Sequence, residues 1–165
     1  MIDVSSKVKC DMKELERFLK RLQQVDRYSV EYGYYPEQSH HSGMSLAEIA
    51  EIQEYGDDEM NIPARPFMQQ TTDYMDLQYQ SRSNWKQTLW DYLKGKGTIT
   101  QFYRGIGLQG VDGIQTVINR QDFEDNVEWW SKMKTEKYGF TQILYETGSL
   151  YNNAKVKVVR GGDEK

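Results

Sequence analysis

Cysteine, proline and histidine are scarce in this 165-residue chain, and each shortage narrows the possible classes of protein. Cys10 is the only cysteine, so a single chain can form neither an internal disulfide nor a cysteine-based zinc site. There are only three prolines, and 38% hydrophobic with 28% charged residues indicate an ordinary globular protein, neither disordered nor fibrous.

Long apolar runs are absent as well. No window approaches the ~18 consecutive apolar residues of a membrane-spanning helix, and the first residues, MIDVSSKVKC, lack the apolar stretch of a signal peptide. We therefore expect a protein made in the cytoplasm, with no membrane partner. The net charge of -4 is mild and the basic residues are scattered, so the sequence predicts no dedicated nucleic-acid binder.

Aromatic residues are abundant instead, at 13% of the chain, with twelve tyrosines and four tryptophans. Tyrosine and tryptophan serve protein cores and subunit interfaces alike, so this count leaves both uses open. The length suits one domain, and no repeat, low-complexity block or linker divides the chain. We expect a single domain over 1–165, with a flexible tail at 161–165.

The first third of the chain changes from a helical to a strand periodicity and back. Apolar residues spaced by three and four predict a helix over about 11–27. Alternation of tyrosine and valine with other residues predicts a strand over 28–35, which ends at Pro36. After a polar loop, Ser45 and Glu48 have the spacing of a capping box and predict a second, shorter helix that stops at Gly56.

Two long helices are predicted in the middle of the chain. Pro63 and Pro66 hold the segment before the first of them extended, and helical spacing then continues from Phe67 to Gly95. Thr98 is a candidate cap for the second helix, whose apolar positions reach Ile118 although four glycines weaken it.

The last part of the chain is less regular. The stretch 121–140 is mixed in character and predicts an irregular segment with a helical turn, and alternation over 154–158 predicts a final strand. This order indicates an α+β fold in which a small antiparallel sheet is packed by two long helices and shorter helices. Two strands are too few for a stable sheet, so further short strands or a neighbouring subunit must complete it.

No credible catalytic set emerges from the residues. Gly105, Gly107 and Gly110 spell GIGLQG, which matches the dinucleotide fingerprint, but the motif follows a helical pattern and lacks a βαβ context. We interpret these glycines as sites of close helix packing or of a bend. His40 and His41 are adjacent in a polar loop, where side chains diverge and a metal site is disfavoured.

Acidic and nucleophilic residues give no stronger signal. The carboxylates of Asp57, Asp58 and Glu59 form a charge run typical of a solvated turn, where nothing apolar would shift their pKa. The sequence contains no GxSxG motif, and Cys10 has no histidine near it in the sequence. We therefore expect a protein that is not an enzyme and that has no catalytic residue, cofactor or metal.

An ordered set of segments carries a family resemblance. The strand VEYGYY (30–35) is followed by SLAEIAEIQEYG (45–56) and by NIPARPFM (61–68), of which IPARPF is the most specific part. WWSKMKTEKYGFTQILYETGSL (129–150) then ends in a T-G-x-L turn. Over about 28–160, the chain resembles the head-tail joining or tail completion proteins of long-tailed phages, the family of the lambda minor tail protein Z.

One segment departs from the family pattern. Relatives often continue T-G-x-L with a basic residue and a serine, whereas Tyr151, Asn152 and Asn153 stand here. The departure concerns the local contact at this turn more than the family assignment.

The resemblance implies a structural subunit of the virion at the head–tail junction. Such subunits close into a ring, commonly sixfold, around the DNA path, and they contact neck or connector proteins and the tail tube. DNA would pass through without specific binding, helped by a mildly acidic lumen. We expect seven residues to fix the two characteristic turns: Pro63, Arg65, Pro66, Phe67, Thr147, Gly148 and Leu150. These turns could serve the ring or the fold of the monomer alone.

More specific expectations attach to four of these residues. Phe67 should be buried, and Arg65 should pair with a carboxylate or a carbonyl. Thr147 and Gly148 should make the second turn, with glycine supplying an unusual backbone geometry. Two alternatives stay open: a small nucleotide-binding enzyme that uses the glycines of GIGLQG, and a tail assembly chaperone that is absent from the finished particle.

Overall fold

The computed structural model describes residues 12–81 and 84–161, so Cys10 and the predicted tail beyond Gly161 lie outside the described residues. The α+β fold is confirmed. The described residues form seven helices and two strands, in the order α1 (Met12–Val25), β1 (Tyr28–Gly33), α2 (Leu46–Tyr55), α3 (Phe67–Ser81), α4 (Asn84–Leu93), α5 (Ile99–Arg120), α6 (Glu128–Tyr138), α7 (Ser149–Asn153) and β2 (Lys155–Arg160).

The sheet joins two strands that are far apart in the sequence. β1 and β2 pair antiparallel, with Tyr28 opposite Arg160 and Gly33 opposite Lys155. No third strand joins this sheet in the described residues, so the expected additional strands are not found there. Helix α5 packs against both strands, and a two-stranded sheet can be stable when it packs on a helix.

Glycines allow α5 to lie directly on the sheet. A Cβ atom added at Gly107 would lie 2.7 Å from Cγ2 of Val30, and one at Gly110 would lie 2.5 Å from Cγ of Tyr32. These distances are shorter than van der Waals contact, so larger residues would force the helix and the sheet apart. GIGLQG therefore lies in the interior of a helix, where Gly107 and Gly110 permit close packing, as we interpreted them, whereas Gly105 does not contact the sheet.

Two groups of buried side chains form the core. The larger one lies among α2, α3, α5, α7 and the loop before α7, and it comprises Ala50, Phe67, Ile114, Val117, Ile118, Ile143, Leu144 and Leu150. The smaller one joins α4 to the start of α5 and comprises Tyr92, Leu93, Ile99 and Phe102.

Capping explains where two of the helices begin. The side chain of Ser45 accepts a hydrogen bond from the Glu48 amide at the start of α2, and Thr98 does the same for Gln101 at the start of α5. Both predicted caps are confirmed. Gly56 ends α2 with a φ of 79°, a backbone geometry that glycine adopts without steric cost.

Two expectations about elements need correction. The stretch 121–140 is not mainly irregular, because α6 covers Glu128–Tyr138, and its weak amphipathic pattern explains the error. Strand β1 ends at Gly33, two residues before the predicted end. The helix predicted from Phe67 to Gly95 corresponds to α3 and α4, and residues 82–83 between them lie outside the described residues.

Candidate functional site

The two segments singled out in the sequence meet at one cavity. Arg65 of IPARPF and Thr147 and Leu150 of TGSL line the same space, whose volume is about 240 Å³. The rest of its wall comes from α2 and the loop before it, from α6 and the loop before it, and from α7 and the loop before it. Segments far apart in the sequence therefore build one local structure.

Arg65 is buried, and each nitrogen of its guanidinium group donates one hydrogen bond. Its Nη1 donates to Oε1 of Gln53 at 2.9 Å, its Nη2 to Oδ1 of Asn126 at 3.1 Å, and its Nε to the carbonyl of Glu124 at 3.2 Å. Its partners thus include a carbonyl, as predicted. Burial lowers the pKa of Arg65, while the charges of Glu124 and Asp125 oppose that shift.

The end of α2 holds the IPARPF segment in place. The backbone amide of Arg65 donates to the carbonyl of Gln53 at 2.7 Å. One residue further along α2, the carboxylate of Glu54 accepts from the amides of Met68 and Gln69 at 2.8 and 3.0 Å. A carboxylate in this position satisfies amides that the first turn of α3 leaves without helical partners and favours the helix dipole.

Phe67 connects the first segment to the second through Tyr34. The Phe67 side chain is 0% exposed, as predicted, and its ring centroid lies 6.1 Å from that of Tyr34. The Tyr34 hydroxyl donates to the carbonyl of Leu150 at 2.5 Å. Burial raises the pKa of Tyr34 well above its ordinary value.

The TGSL segment turns the chain into α7. Gly148 has a φ of 71° at the N-terminus of this short helix, so glycine supplies the left-handed geometry that we predicted. The hydroxyls of Thr147 and Ser149 are hydrogen-bonded to each other, and Thr147 is exposed. Leu150 is buried in the larger core cluster.

The two prolines of IPARPF have simpler positions. Pro63 is half-buried in the extended stretch after Ile62, and Pro66 is exposed immediately before α3. The Pro66 carbonyl accepts from the amide of Gln70 at 2.9 Å, which makes it the first acceptor of that helix. Proline suits this position because its backbone nitrogen needs no partner there.

The residues that depart from the family pattern fix α7 against its surroundings. The carbonyl of Tyr151 accepts from Gln115 of α5 at 3.1 Å, and the carbonyl of Asn153 accepts from Gln38 at 2.5 Å. Tyr151, Asn152 and Asn153 therefore lie in α7, the helix that joins the TGSL segment to β2.

Lys134 was missed by sequence reasoning, although it is nearly the most buried residue of the site. It is 2% exposed, and its Nζ donates to the carbonyl of Gln142. Burial lowers the pKa of Lys134, the charge of Arg65 lowers it further, and the charge of Glu146 opposes both. Lysine is almost never fully buried without a charged partner, so nothing in the polar run SKMKTEK distinguished this position.

The two buried cations of the cavity do not belong to close ion pairs. Glu146 also lines the space, and its Oε1 accepts from the hydroxyl of Tyr138 at 3.1 Å. Neither Arg65 nor Lys134 has a carboxylate oxygen within 4.0 Å among the described residues. Ion pairs that other described residues form include Lys96–Asp91, Lys132–Glu128 and Lys157–Glu37.

The remaining sequence candidates do not converge on a site. Gly105, Gly107 and Gly110 lie inside α5, so their amides do not form the helix N-terminus that a dinucleotide phosphate needs. The side chains of His40 and His41 do not diverge as expected, because their ring centroids lie 3.9 Å apart with the ring planes tilted by 50°. Burial lowers the pKa of His40. No group of three or more histidine, cysteine or acidic residues could hold a metal ion in residues 12–81 and 84–161.

The acidic run forms a tight turn. Asp57 and Ile62 exchange backbone hydrogen bonds of 2.8 Å each, and the Asp57 carboxylate accepts from the Met60 amide at 2.8 Å. Asp58 and Glu59 are exposed at its tip. These carboxylates therefore lie in the solvated turn that the sequence indicated.

Comparison with known proteins identifies no relative. No protein-family model, curated protein or solved structure matches the chain. No helix of the described part combines the length and apolarity needed to cross a membrane.

Proposed function

We propose that this chain is a structural virion protein that joins or terminates a phage tail at the head–tail neck, as a ring of identical subunits around the DNA channel. Its partners would be further copies of itself, in a ring that we expect to be a hexamer. Neck or connector proteins and the tail tube would be its other partners. The role needs no catalytic residue and no cofactor.

One observation carries the proposal. The segments on which the family resemblance depends, IPARPF and TGSL, lie far apart in the sequence and yet build the same cavity. Arg65 and Leu150 are buried and line it, and Tyr34 connects Leu150 to the buried Phe67. A chance resemblance between separate short motifs gives no reason for them to pack together.

An apolar surface on α1 supports self-association. Four of its apolar side chains, spaced by three or four residues, are 42–62% exposed. The exposed Trp90 of α4 lies beside Phe18 of α1. Exposed apolar patches on soluble proteins commonly mark protein–protein contacts. The four side chains are Met12, Leu15, Leu19 and Leu22.

The experiment is to place Arg65→Ala and Phe67→Ala in the phage or prophage that encodes the chain. We expect DNA-filled heads and separate tails by electron microscopy, because both changes disrupt the segment that opens α3. Leu77→Ala is the matched control, since Leu77 is 64% exposed on the same helix, and it should leave virions joined.

Three outcomes would contradict the proposal. Normally joined, infectious virions from both variants would remove the joining role. Absence of the protein from purified wild-type virions by mass spectrometry would favour an assembly chaperone. Saturable binding of NAD or ATP that Gly107→Ala abolishes would favour the nucleotide-binding enzyme.

A further inference from the structure

We propose that the cavity between Arg65 and Lys134 binds a carboxylate carried on a short hydrocarbon stem. The carboxylate could be an acidic side chain of another protein chain or a small free carboxylic acid, which share the same chemistry. This inference concerns the cavity alone and stands whether or not the chain is a virion subunit.

The charge of the cavity wall favours one anionic group. Arg65 and Lys134 each contribute a positive charge, and Glu146 contributes a negative one. His40 also faces the space, and burial lowers its pKa and thus favours its neutral form. A single carboxylate would balance the excess among the lining groups, to which Glu124 and Asp125 do not belong although their charges also act on Arg65. A buried charge is costly until a counter-charge or hydrogen bonds compensate it.

Both cations retain hydrogen-bond donors. The Lys134 ammonium has three N–H groups, and among the described residues its one acceptor is the Gln142 carbonyl. The Arg65 guanidinium has five, and three of its nitrogens each donate once, to Gln53, Glu124 and Asn126. Both groups can therefore donate to an oxyanion without breaking the bonds that hold them.

The rest of the wall fits a hydrocarbon stem. Ile49, Trp130, Leu144 and Leu150 line the same space as the two cations. An aliphatic chain would bury apolar surface against them, whereas a bare phosphate ion would leave these side chains against water. The pairing of cations with apolar side chains therefore distinguishes a carboxylic acid from an inorganic anion.

The volume of the cavity limits the ligand. About 240 Å³ is available, which is below the range of about 300–1,000 Å³ in which drug-sized ligands and cofactors bind. A glutamate side chain or a four-carbon acid is small enough to enter. A dinucleotide is not.

The first experiment titrates the protein with butyrate, butyramide and inorganic phosphate. Binding is followed by proton–nitrogen NMR at the indole N–H of Trp130, because this side chain lines the cavity. We expect a saturable shift with butyrate and little or none with the other two. Butyramide has the same shape without the charge, so an equal response to it would overturn the proposal. An equal response to phosphate would overturn it too.

A pair of lysine variants tests the site. Lys134→Met keeps the length of the side chain and removes its charge, and we expect it to weaken butyrate binding by about tenfold or more. Lys137→Met is the control, because Lys137 is exposed on the same helix. Unchanged binding by Lys134→Met would overturn the proposal. If that variant fails to fold, the comparison of butyrate with butyramide on the wild type still decides.

A third arm distinguishes the two sources of the carboxylate. A short acetylated, amidated peptide with one central glutamate is compared with its glutamine twin and with butyrate. A response to the glutamate peptide and to butyrate, with none to the glutamine twin, shows that the cavity accepts an acidic side chain of a protein partner as well as a free acid. A response to butyrate without one to the peptide restricts it to free acids. No response to either carboxylate would overturn the proposal.

Discussion

Tyr34 is the residue through which the two halves of the site depend on each other. Its ring packs near Phe67 at the start of α3, and its hydroxyl donates to the carbonyl of Leu150 in α7. Because the hydroxyl is buried, folding favours its neutral form, which raises its pKa. The contact therefore contributes to stability in a way that depends on pH.

Tyr34→Phe should change from a destabilising to a stabilising substitution as the pH rises. At neutral pH we expect a loss of about 1 kcal/mol, because the Leu150 carbonyl loses its donor. Above the ordinary pKa of 10.0 the unfolded tyrosine ionises while the folded one does not. The wild type then loses about 1.4 kcal/mol for each pH unit, a loss that phenylalanine avoids.

Urea unfolding of both proteins at neutral and alkaline pH measures this crossover. The unfolding free energies should become equal at about one pH unit above the ordinary tyrosine pKa, given these magnitudes. A stability difference that does not change between neutral and alkaline solution would contradict the role of Tyr34 burial.

Single residues were predictable where their chemistry is local. Ser45 and Thr98 cap helices through neighbours three positions away, and Gly148 meets a backbone requirement of its own turn. Lys134 was not predictable, because its burial depends on loops contributed from elsewhere in the chain. The same holds for Asn126, whose side chain contacts Arg65 from a different part of the sequence.

Among the elements, α5 organises the rest of the molecule. Its 22 residues pack against both strands and against α3, α4 and α7. Its glycines weaken its intrinsic helix propensity by about 1 kcal/mol each relative to alanine. The close contact with the sheet compensates for that cost, so the helix forms as part of the folded protein.

Substitutions at two glycines of α5 should have opposite effects. Gly107→Ala places a methyl group against Val30 and Val156, and we expect a net loss of about 1–2 kcal/mol in unfolding free energy. A Cβ atom at Gly105 meets nothing within 4 Å, so Gly105→Ala should gain about 0.5–1 kcal/mol. Chemical denaturation of both variants measures these changes. Equal effects would contradict the packing role of Gly107.

Elements were predictable to the extent that their burial follows one face. The alternation in β1 and the apolar spacing in α5 correspond to surfaces that are buried by packing in the described fold. Helix α6 has no such face, since its one buried residue is Lys134, and the sequence therefore indicated an irregular segment. The number of strands was open for a related reason, because pairing between distant segments leaves no local pattern.

At the scale of the whole molecule, α1 is the element least covered by the rest of the chain. None of its residues is buried, although its apolar side chains repeat at helical spacing. Its attachments include a hydrogen bond from the Tyr92 hydroxyl to Gln24 at 2.7 Å and one from Arg21 to the Leu93 carbonyl at 3.3 Å. The outer face of α1 is thus available to a further copy of the chain.

Charges introduced on this face should prevent self-association. We expect the wild-type protein to form oligomers at high concentration and the double variant Leu15→Lys, Leu19→Lys to remain monomeric, because lysine ammonium groups would have to be desolvated in the interface. Size-exclusion chromatography with light scattering, or native mass spectrometry, gives the masses. Leu77→Lys changes an even more exposed leucine on α3 and should associate normally. Identical masses for the wild type and the double variant would rule out α1 as the interface.

The pairing of β1 with β2 also orders events during synthesis. β1 is made early, but its partner at Lys155–Arg160 follows every helix of the described chain. Until then Val30 and Tyr32 have no partner strand, and the glycine-rich face of α5 can pack against β1 alone. Non-local pairing of this kind slows folding. A chain that stops short of β2 lacks the sheet on which α5 rests, so only copies translated past Arg160 can complete this fold.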